Sequence, residues 1–274
     1  METLELGERS GAGDRQGYLE SSATPLTGFL FALPLFIVYH VGLWWLNTFA
    51  GLRWANAVDI AIANVLGRLG IVGPALSFIL VVIVFLLMHA MSGKSWSRPS
   101  AIVWFLMVLE SLALALPVFL LSRLVEKVRD YLSLSALLSV DGSDGGLSWQ
   151  ANLILSCGAG VYEEFFFRVL MMGGLVLLLD KVFGVKSGWK FILAGFIQAV
   201  VFSASHHLPG GPEEVTTFSA AKSMAPVFAF RTAAGIYFAF LYVERGFGIA
   251  AGAHAGYDLM VVLLEMFMPT EGIT

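Results

Sequence analysis

Residues 158–174 read GAGVYEEFFFRVLMMGG, which sets two adjacent carboxylates, Glu163 and Glu164, and one guanidinium, Arg168, inside an otherwise apolar stretch. Further along stand His206 and His207 in FSASHH, His254 and Asp258 in GAHAGYDLM, and a single charge, Arg231, in FAFRTAAGIYFAF. A carboxylate beside an imidazole is a general-base pair able to take a proton from water. A second imidazole, steadied by a carboxylate, can donate to a developing oxyanion. Such a set describes hydrolysis of a peptide bond by activated water, without a covalent intermediate. The same groups can instead bind a metal, because two histidines and a carboxylate (Glu163, His206 and His254) make a catalytic-zinc ligand set. The H-E-x-x-H helix of ordinary zinc peptidases does not occur in the chain.

Helical spacing divides the roles. Glu164 and Arg168 are four apart with the acid on the N-terminal side, the better orientation for an ion pair on one face. Glu163 lies about 100° further round the helix and points away from the arginine. Glu164 therefore reads as structural and Glu163 as available. His254 and Asp258 are also four apart, so the aspartate can accept from the imidazole and fix its tautomer. Each group has a purely structural reading as well. Glu164–Arg168 can be an ion pair locking two spans, His207 the residue that opens a loop, and Arg231 a snorkelling or paired cation. Cys157, the single cysteine, reads as a small packing residue rather than a nucleophile. The functional reading gains from the combination, since one unpaired glutamate and two histidines fall on three separate spans.

The elements that must position these groups are membrane helices. Of the 274 residues 58% are hydrophobic and only 13% charged, with 22 phenylalanines and seven tryptophans. Mean hydropathy is +0.81. A soluble protein of this size needs more polar surface. The expectation is an all-α, polytopic membrane helix bundle of about seven spans, each needing some 20 apolar residues, with the active-site cavity in the C-terminal half. The spans fall near 27–49, 72–91, 100–124, 152–179, 190–207, 224–243 and 246–268, the fourth reading as broken, tilted or partly interfacial. A charge at mid-bilayer costs about 2.5–3.5 kcal/mol on the insertion scale, so those found there face the bundle interior. Glycines and alanines around the three clusters allow close helix approach.

Composition also suggests an organisation. Residues 1–24 form a polar tail, 25–125 a leading bundle, 126–150 an interfacial connection with a DGSDGG turn, 151–268 a second bundle, and 269–274 a C-terminal tail. Segment 55–69, interrupted by Asp59 and Arg68, reads as a short interfacial or packing helix. The loops at 126–150 and 207–223 are plausible gates. A net charge of −4 without a basic stripe offers nothing to nucleic acid. Lysines and arginines are spread too evenly to set the orientation.

EEFFFR (163–168) fits Glu-Glu-x-x-x-Arg, FSASH (202–206) fits Phe-x-x-x-His, and HAGYD (254–258) fits His-x-x-x-Asn/Asp. In that order on successive helices, the segment 150–268 resembles the CPBP family, the type II CAAX prenyl endopeptidases and their bacterial relatives, also called the ABI family. The resemblance implies an intramembrane endopeptidase, integral and multi-pass in a bacterial inner membrane. Its substrate would be a membrane-associated protein or peptide met in the lipid bilayer. It further implies that Glu163 and His206 activate water, that His254 and Asp258 form an oxyanion pocket, and that Glu164 and Arg168 support the site. The eukaryotic pattern carries asparagine where this chain has Asp258. An ionised aspartate only accepts, so it is either protonated, orients His254, or helps hold a metal. No cofactor is favoured, with zinc the runner-up through Glu163, His206 and His254. The rival classes are a non-catalytic scaffold or immunity protein and a transporter, for which no inverted repeat is visible.

Overall fold

The computed structural model describes residues 17–49, 51, 55–73, 75–131, 148–185, 188–207 and 218–267. Every regular element among them is helical. In chain order these are α1 (Pro25–Phe49), α2 (Ala57–Arg68), α3 (Leu76–Ser92), α4 (Ala101–Tyr131) and α5 (Trp149–Gly158). Two π-helical stretches follow, Ala159–Glu163 and Phe165–Met172, and then α6 (Gly173–Lys181), α7 (Trp189–His207), α8 (Phe218–Arg245) and α9 (Phe247–Phe267). Among the described residues four helices are long and apolar enough to cross a membrane, at Pro25–Phe49, Ala101–Lys127, Ala225–Arg245 and Phe247–Phe267, and Leu76–Ser92 is a shorter apolar helix. The expected fourth span is not broken: residues 149–181 run as one continuous helix whose winding changes from α5 through the π-helical stretches to α6. The expected gates lie largely outside the described residues, at 132–147 and 208–217, as does most of the N-terminal tail. Residues 17–22, counted with that tail from composition, are helical.

Local chemistry explains the helix starts. Pro25 occupies the first position of α1, where a missing N–H costs nothing, and Thr24 Oγ1 accepts from Thr27 N at 3.3 Å. Asn56 caps α2 by accepting from Val58 N at 2.9 Å, and Ser148 caps α5 through Ala151 N at 3.3 Å. Large apolar side chains such as Trp44, Leu120, Leu177 and Phe240 are more than half exposed on the outer surface. That pattern suits lipid rather than water.

The two compositional halves share one core. Phe29, Phe36 and Tyr39 of α1 and Phe85 of α3 pack with Cys157, Phe165 and Phe247 from the second half. Cys157 is thus a buried packing residue, as its surroundings in the sequence suggest. Aromatic rings meet across the seam, Phe85 tilted against Phe247 at 4.5 Å and Phe36 edge-to-face with Tyr162 at 5.3 Å. Helix α9 lies at the centre and packs on α1, α4, α5, α8 and the first π-helical stretch. Two close approaches seat it. A Cβ on Gly248 would fall 2.8 Å from Gly28 Cα, and one on Gly160 would fall 2.6 Å from Ala255 Cβ. Only glycine lets the backbones meet there.

Candidate active site

The contact of Gly160 with Ala255 sets the first π-helical stretch, which ends at Glu163 and is followed by Glu164, directly against the turn of α9 carrying His254. π-Helical turns are rare and concentrate at functional sites. Here the wider winding lets both adjacent carboxylates approach one imidazole. His254 Nδ1 is 2.7 Å from Glu164 Oε1, and Nε2 is 4.0 Å from Glu163 Oε2. The opposite nitrogens of the ring therefore face different glutamates.

Glu164 and Arg168 form the expected ion pair, Oε2 to Nε at 3.0 Å, with both side chains wholly buried. The guanidinium also donates to the Gly235 carbonyl at 3.3 Å and lies over the rings of Phe202 and Phe238 at 5.2 and 5.8 Å. Gln198 donates to the same carbonyl at 3.1 Å and to Gly195 O at 2.9 Å. Glu164 is more than the arginine's partner, because its second oxygen reaches His254.

That contact corrects one expectation. Asp258 does not hold the tautomer of His254. Its Oδ2 is 3.7 Å from Nε2, beyond hydrogen-bond length, while Glu164 holds Nδ1 from across the helix interface. Here Asp258 lies beside the Nε2 edge of the ring, whereas the close helix crossing brings Glu164 within hydrogen-bond distance of Nδ1. Phe238 stacks on the His254 ring at 4.7 Å with planes 10° apart and fixes its tilt.

On α7, His206 Nδ1 is 2.9 Å from Phe202 O, one turn back, and its ring meets Phe202 edge-on at 4.9 Å. A neutral ring donating Nδ1–H to that carbonyl presents Nε2 as its acceptor. His207 points differently, its ring 5.7 Å from Phe228. Glu163, His206, His254, Asp258 and Arg231 line one cavity of about 170 Å³, walled by Phe202, Phe230, Phe238 and Tyr257. The four residues expected to do chemistry thus share a single polar chamber, reached from three helical segments. Among the described residues no three His, Cys, Asp or Glu side chains are grouped closely enough to hold a metal ion. Glu163, His206 and His254 are thus not drawn together as a ligand set in this structure.

Residues 146–260 match the protein-family model described as type II CAAX prenyl endopeptidase Rce1-like. The match covers the segment that carries all three motifs, EEFFFR, FSASH and HAGYD. No curated protein and no solved structure matches the chain. With four helices among the described residues long and apolar enough to cross a membrane, and a match to a membrane endopeptidase family, the chain is an integral membrane protein.

One neighbour of the site lies outside all of the sequence motifs. Asn56 Nδ2 donates to Glu163 Oε1 at 3.0 Å, although the two residues stand 107 positions apart. Behind it Tyr39 Oη donates to Asp59 Oδ2 at 2.9 Å and accepts from Asn56 N at 2.8 Å. Ser77 hydrogen-bonds the other oxygen of Asp59 and lies 3.2 Å from Tyr162 Oη, which is 2.8 Å from His40 Nε2. Asp59, which interrupts the apolar pattern of α2, is thus turned inward to this network. An amide and a carboxylate at the start of a short helix in an apolar chain were the available signal, but nothing in their spacing points to residue 163.

Proposed function

We propose that the cavity hydrolyses a peptide bond of a membrane-associated protein or peptide with water activated between Glu163 and His206. The observation that carries this reading is the shared chamber, in which those two side chains face His254 and Asp258. Glu163 takes a proton from water as the water oxygen bonds to the carbonyl carbon and the C=O pair moves onto oxygen. His254 and Asp258 border the developing oxyanion. The imidazole donates from Nε2 when both ring nitrogens carry protons, and Asp258 donates only as the neutral acid. On collapse the C–N bond breaks, and the proton held at the Glu163–His206 pair passes to the leaving nitrogen.

Aromatic walls and a lipid-facing exterior suit a substrate carrying an apolar anchor, and the family description supports a prenylated C-terminal tail as that substrate. The test is full-length protein in proteoliposomes, given a fluorogenic prenylated CAAX peptide. Glu163→Gln and His206→Ala should each abolish cleavage while membrane insertion is unchanged. Retained cleavage by Glu163→Gln would remove the assignment of the base. Stoichiometric zinc in pure protein together with chelator-sensitive cleavage would overturn a mechanism carried by protein groups alone.

A further inference from the structure

We propose that Asn56, which lies outside the family-matched segment 146–260, is a positioning residue for Glu163. The inference rests on the reading of Glu163 as the base. Three observations carry it. First, the orientation of the amide is decided rather than assumed. Asn56 Oδ1 accepts from Val58 N at 2.9 Å as the cap of α2, so the NH2 end must be the one that meets Glu163 at 3.0 Å. Second, Asn56 is itself buried and anchored, because its backbone N–H donates to Tyr39 Oη, which is held in turn by Asp59. Third, the same network grips the residue next to Glu163. Ser77 and His40 both lie within hydrogen-bond reach of Tyr162 Oη.

The consequence is geometric. With Oε1 held by the amide, Oε2 is directed towards His254 Nε2 and the chamber. A neutral donor fixes the carboxylate without adding charge beside it. Small misplacements of a reacting group are costly in rate, so a supporting residue outside the reaction acts through kcat. The leading helices, which carry none of the family motifs, thereby complete the site.

Two capping variants test this in proteoliposomes with the prenylated CAAX peptide. Asn56→Ser retains an oxygen for Val58 N but cannot reach Glu163. Asn56→Asp keeps the shape and the cap but sets acceptor against acceptor. Both should lower kcat by roughly 10- to 100-fold, the effect of losing a hydrogen bond to a charged group, with KM within about twofold of wild type. A purely structural cap would leave kcat intact in both. Thermal unfolding in detergent reads the contact without any substrate. The loss of Tm caused by Asn56→Ser should be smaller in a Glu163→Ala background than in the wild type, because the partner is already gone. Wild-type kcat in both variants, or equal Tm losses in the two backgrounds, overturns the proposal. If the wild-type protein cleaves nothing while the Tm coupling is present, the peptidase reading fails and the contact stands.

Discussion

His254 Nδ1 and Glu164 Oε1 meet at 2.7 Å across the interface between α9 and the π-helical turn, and both side chains are buried. Through its other oxygen Glu164 holds Arg168 at 3.0 Å. One carboxylate therefore joins the structural cation to the ring that faces the chamber. Its two roles are separable, because charge and shape can be altered independently.

Glu164→Ala leaves Arg168 buried without its counter-charge and should destabilise the protein by about 3–5 kcal/mol. Arg168→Lys should also be costly, since an ammonium cannot both pair with Glu164 and lie as a plane over Phe202 and Phe238. Denaturant or thermal unfolding in detergent measures both. A fully stable Glu164→Ala protein would contradict the buried pair.

Gly160→Ala places a Cβ 2.6 Å from that of Ala255 and 2.8 Å from its backbone nitrogen. Helix α9 or the π-helical turn must then move. The expected cost is about 1–3 kcal/mol of stability together with a loss of cleavage, as Glu164 is drawn off His254. Adding Ala255→Gly should restore only part of both, because the backbone contact remains. Unfolding and peptide cleavage, measured on the single and double variants, decide it.

Asp258→Asn supplies a permanent amide donor beside His254. Cleavage of the prenylated peptide should stay within about tenfold of wild type, whereas Asp258→Leu should lose roughly 100- to 1,000-fold, the usual effect of removing an oxyanion donor. An inactive Asp258→Asn protein would mean that the carboxylate itself is needed.

Far from the chamber, Arg245 binds Glu110 through two nitrogens at 2.6 and 2.8 Å and reaches Ser22 at 3.1 Å, with Tyr18 hydrogen-bonded to the same glutamate. This clamp ties the residues before α1 to α4 and α8. Arg245→Met should lower stability by about 1–3 kcal/mol and leave kcat nearly unchanged. A large fall in kcat with unaltered unfolding would place the clamp in the reaction and refute a purely structural role.

Relations within a single helix were legible from the residues alone. Composition required membrane helices, four-residue spacing paired Glu164 with Arg168, and the separation of Glu163 from that pair followed from its place on the turn. Such relations depend on chain periodicity, which the sequence carries directly. The three polar clusters were recognisable as one set because charge is expensive in lipid and must face inward. Tertiary structure decided what crosses between helices. The glycine contacts of α9 determine which side chains meet, so Glu164 rather than Asp258 holds His254, and the π-helical winding lets Glu163 approach the same ring. The capping asparagine of α2 reaches Glu163 only because the leading helices share the core of the second half. Periodicity within each segment is silent about those meetings, which arise from close packing between segments distant in the chain.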